Sequence, residues 1–74
     1  MGNNHILNKM QIALHENQDD ILSATGIPSL AVTVQTILYR ADLANEPESK
    51  DLVRAIVSSA SHENAMKHVY QYMT

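Results

Sequence analysis

The sequence predicts an all-α protein, four to five short helices with a helix-turn-helix-like middle, forming a single all-helical domain over residues 1–74. Three observations predict it. Apolar residues recur at spacings of three and four, the period of a helix face. Turn-forming residues interrupt that pattern at regular intervals, with Gly26, Pro28 and Pro47 as the strongest punctuation. The length, 74 residues, suits one domain and no more.

The first periodic segment runs from about Asn4 to Asn17. Leu7, Met10 and Leu14 set its stripe, Ile6 and Ala13 widen it, and Asn3 or Asn4 is the expected N-cap. The polar stretch His15-Glu16-Asn17-Gln18 breaks the phase and reads as a turn. Asp19 or Asp20 can cap a short second helix containing Ile21, Leu22 and Ala24, which Thr25-Gly26 ends with Gly in the left-handed C′ position.

Pro28 suits the first turn of a third helix, roughly Ser29 to Leu43, with Leu30, Val34, Ile37, Leu38 and Ala41 on one face. The run Val32-Thr33-Val34-Gln35-Thr36-Ile37 is rich in β-branched residues and is compatible with a strand. No second strand lies nearby to satisfy its backbone, so helix is the expected state. Asn45-Glu46-Pro47-Glu48-Ser49 makes the next break, acidic where a helix N-terminus favours negative charge. Leu52, Val53, Ile56, Val57 and Ala60 then define a fourth helix. Ser61 can cap a last one, with Ala65, Met66, Val69, Tyr70 and Met73 as its stripe, although a single bent helix from Pro47 to Met73 also fits the pattern.

Composition narrows the function classes. A chain this short buries only about 60% of its unfolded surface. It has no Cys, Phe or Trp, so disulfides, thiolate metal sites and large aromatic cores are all absent. Stability must come from good helix packing or from association with another copy. No apolar run approaches the ~18 residues of a membrane span. Met1 to Met10 lacks the basic-then-apolar order of a signal peptide, so a cytoplasmic protein is expected.

The net charge of −3 is uneven. Glu16, Asp19 and Asp20 form one acidic spot, and Asp42, Glu46, Glu48 and Asp51, with Lys50 among them, form a second. Lys9, Arg40, Lys50, Arg54 and Lys67 are scattered, whereas phosphate backbones are bound by clustered cations.

The segment Asp20 to Val32 nevertheless reads like a helix-turn-helix unit. A short helix leads through Ala24-Thr25-Gly26 to Ile27-Pro28 and a longer helix, with Ile27 expected between the helices and Val32 expected to face the first. Leu22 departs from the pattern where such units carry a small residue. The would-be recognition helix has no Arg, Lys or Asn, leaving Ser29, Thr33, Gln35 and Thr36 as the candidate DNA-reading residues.

Asn3-Asn4, then Ile6-Leu7-Asn8-Lys9-Met10-Gln11-Ile12-Ala13-Leu14 and Asp19-Asp20-Ile21-Leu22, resembles the repeat unit of the YehS-like family. Asp42, Asn45, Glu48 and Asp51 fall at spacings compatible with that repeat. The family consists of bacterial proteins built from two such units, a domain of unknown function. The resemblance spans about residues 3 to 60, with one unit only, and the chain beyond Ser61 departs from it. It implies an all-α fold and brings no catalytic residues.

The remaining polar residues offer no chemistry. His62-Glu63 and His68 look superficially like the zinc motif H-E-x-x-H, but a spacing of six turns the second imidazole about 240° away on a helix. His5 and His15 have no partner at three or four. Asp19 and Asp20 are explained as helix caps, and no serine sits in a nucleophile elbow. No catalytic site, cofactor site or metal site is expected.

One stripe is left. Ala65, Met66, Val69, Tyr70 and Met73 either pack into the domain's own core or form an adaptable docking face, since Met fills irregular gaps. The expected function is a small non-enzymatic interaction or regulatory module acting through protein–protein contacts, with itself as a homodimer or another protein as partner. The alternative is a helix-turn-helix DNA-binding transcriptional regulator.

Overall fold

A computed structural model describes residues 2–73, with side chains from His5 onward. Five helices form among the described residues, and no strand: α1 (Gly2–Glu16), α2 (Gln18–Ser23), α3 (Ile27–Arg40), α4 (Pro47–Val57) and α5 (His62–Met73). The β-branched run 32–37 is therefore helical. Its Val34 and Ile37 gain more by burial in a shared core than an unpaired strand could offer.

Each helix boundary has a local cause. The backbone of Asn3 and Asn4 is already helical, so α1 begins ahead of the expected cap. Asn17 closes it, its side-chain amide donating to the Ala13 carbonyl at 2.7 Å while its own carbonyl accepts from Ile21 N–H. Asn17, rather than Asp19 or Asp20, holds the N-cap position of α2, and both aspartates lie in the first turn. Gly26 does not close α2 as a left-handed C′ residue. It stands one position before α3 with φ 145° and ψ 163°, a conformation essentially reserved for Gly, and its carbonyl accepts the first bond of α3 from Leu30.

α3 ends earlier than expected, at Arg40, in a Schellman arrangement. Leu43 N–H reaches the Leu38 carbonyl at 2.8 Å and Asp42 N–H reaches Tyr39 at 3.0 Å, with Asp42 at φ 62°. Ala41 thus caps the helix and is exposed instead of joining the apolar face. Residues 47–73 form two helices. Ser59 Oγ donates to the Ala55 carbonyl and turns the chain out of α4, and Ser61 Oγ accepts from Asn64 N–H at 3.2 Å to open α5.

All five helices feed one core. Met10, Ala13 and Leu14 come from α1, Ile21 from α2, and Leu30, Ala31, Val34, Ile37 and Leu38 from α3. Leu52 and Ile56 of α4 meet them, and α5 closes the far side with Ala65, Met66 and Val69. α3 packs on α4, α4 on α5 and α5 back on α1, so the last helix is an integral wall of the bundle. The radius of gyration, 11.1 Å, equals the ~11 Å expected of a globule of this length.

Candidate functional site

With α5 turned inward, the docking face expected on it is largely consumed. Ala65, Met66 and Val69 are buried, Met73 is half-buried against the core, and only Tyr70 of that stripe is exposed. The stripe has no continuous surface to offer because its 3–4 spacing is the same spacing that closes the core.

The surface that stands out lies on α3. Successive residues turn by about 100°, which sets Pro28, Ser29, Val32, Gln35, Thr36 and Tyr39 within one outward arc. All six are exposed and none is charged. Val32 is 62% exposed and Tyr39 76%, one above the other and about 10 Å apart along the axis. A solvent-facing helix of a small domain ordinarily carries Lys, Glu or Arg on that arc. Here no charged side chain occurs from Ile21 to Tyr39.

This finding corrects the expected packing of the turn unit. Val32 points to solvent, not to the first helix, because it sits about 200° around α3 from the buried Leu30. Leu22 is likewise exposed, so the close helix contact falls to the buried Ala24. Ile27 does pack against the core. Of the candidate DNA-reading residues, Ser29, Gln35 and Thr36 lie on the exposed arc and Thr33 is half-buried at its edge. The Thr36 hydroxyl is spent on the Val32 carbonyl at 2.8 Å.

α3 stands as a ridge between two grooves. One, of about 390 Å³, runs between α2 and α3 past Ser29, Val32, Thr33 and Thr36, with Asp20 and Arg40 bringing opposite charges to it. The other, of about 370 Å³, runs between α3 and α4 and includes Gln35, Leu38, Val53 and Val57. Lys50 and Arg54 stand on its rim and Ser49 lies in its wall. Arg54 also pairs with Asp51 at 3.0 Å on the exposed side of α4. Ser49 is 1% exposed, and its Oγ has no hydrogen-bond partner among the described residues. A buried hydroxyl left in that state costs roughly 1–3 kcal/mol.

Among the described residues no three His, Asp or Glu side chains converge as metal ligands would. Among the described residues, no helix is long and apolar enough to cross a membrane. The signal for the uncharged ridge was present in the sequence as a long interval without charge. It is concealed there because buried and exposed uncharged residues look alike until the phase of α3 is known. Compared with known proteins, the chain matches no family model, no curated protein and no solved structure.

Proposed function

We propose that the protein is a non-enzymatic interaction module whose partner protein seats on the α3 ridge. The observation that carries this reading is the uncharged outward arc of α3, with Val32 and Tyr39 held in water by a well-packed helix. The fully buried centres of protein interfaces are depleted of charge and enriched in Tyr, and this arc has that composition. Tyr39 provides an apolar ring and a hydroxyl at little entropic cost, the properties of an interface anchor. The grooves on either side give a partner relief to grip.

The same arc counts against DNA reading. A recognition helix needs cations for phosphates and bidentate donors for base edges, and the nearest cation on α3 is Arg40 at its far end. The resemblance to the YehS-like repeat is compatible with an interaction role and names no partner.

The test begins with a photo-crosslinking amino acid at Gln35, introduced in the source organism, and identification of the trapped protein. The purified partner is then titrated calorimetrically. Replacing Val32 and Tyr39 together by Lys is expected to weaken binding at least 100-fold while leaving the thermal melt unchanged. Equal affinity for the double variant would refute the reading. Light scattering on the isolated 8.2 kDa chain reads directly whether a second copy is the partner.

A further inference from the structure

We draw no further inference here: the strongest candidate, the open apolar groove between α3 and α4 with Lys50 and Arg54 on its rim, carries nothing because the Ser49 hydroxyl is sealed from it, Arg54 is already paired with Asp51, and nothing in the structure shows what covers it.

Discussion

Asp42 occupies a position built for glycine, and its replacement gives the sharpest test of how α3 ends. The residue has φ 62°, in the left-handed region, and forms the C′ position between two Schellman bonds. The flanking leucines, Leu38 and Leu43, are both buried, so the turn is anchored from the core side and cannot relax to relieve its centre. For an L-residue the left-handed conformation costs about 1 kcal/mol, Asp lying at the low end of that range. Its carboxylate also faces the negative end of the α3 dipole, unfavourable by about 0.5 kcal/mol at low salt. Glycine removes both terms and returns about 0.7 kcal/mol through the greater freedom of the unfolded chain. Asp42→Gly is therefore expected to stabilise the protein by roughly 0.8 kcal/mol, or about 4 °C in Tm for a domain of this size.

Two companion variants separate the terms. Asp42→Asn keeps tolerance of the left-handed turn and removes only the charge, for a gain of about 0.5 kcal/mol that fades as salt screens it. Asp42→Val brings a β-branched side chain to a positive φ and should lose at least ~1 kcal/mol. Urea unfolding followed by far-UV circular dichroism measures all three, with an unchanged m-value showing that the difference lies in stability. If Asp42→Gly unfolds at or below the wild-type midpoint while Asp42→Val is neutral, the Schellman reading of this turn is wrong.

Three further substitutions probe the rest of the fold. Gly26→Ala should cost about 1–3 kcal/mol through backbone strain alone, since the nearest atom to a new Cβ is Pro28 Cδ at 4.0 Å and no clash contributes; urea midpoints check this. Val69→Glu places a carboxylate in a fully buried site and should destabilise by several kcal/mol or unfold the chain, and light scattering on whatever remains folded should show no change of mass. Ser61→Ala removes the oxygen that opens α5 and should lower stability by about 1 kcal/mol, with amide exchange accelerating first at Asn64.

Much of the architecture was legible because it rests on local rules. Pro28 and Pro47 sit in the first turns of α3 and α4, and Ser61 caps α5, each where its own chemistry demands. The stripes of Met10, Ala13 and Leu14 and of Leu30, Val34, Ile37 and Leu38 follow from periodicity alone. What escaped depends on which side of each element the core lies. Asp42 reads as an ordinary acidic loop residue, yet the Leu43 N–H bond to the Leu38 carbonyl, with both leucines buried, holds it in the left-handed turn. Ser49 reads as a polar residue of a helix start, yet it is buried. Val32 was misplaced by following a turn pattern over the helix period, which already set it opposite Leu30.

The packing of α5 bears on which face the proposed partner would use. A core without Phe or Trp must gather many small aliphatic side chains, and α1, α3 and α4 leave an open side that Ala65, Met66 and Val69 fill. The Gln11 amide, donating to the Met73 carbonyl at 3.4 Å, ties the last turn of α5 back to α1. A helix committed in this way has little left to give to association, so instability of the monomer is not what would drive binding. The exposed apolar residues of α3 have the opposite status. Val32 and Tyr39 contribute nothing to the core, and replacing them by charged residues would make the helix more soluble at no cost in packing. Core packing does not require an uncharged arc there. The proposed partner contact would, and the double Lys substitution at these two positions separates that contact from stability.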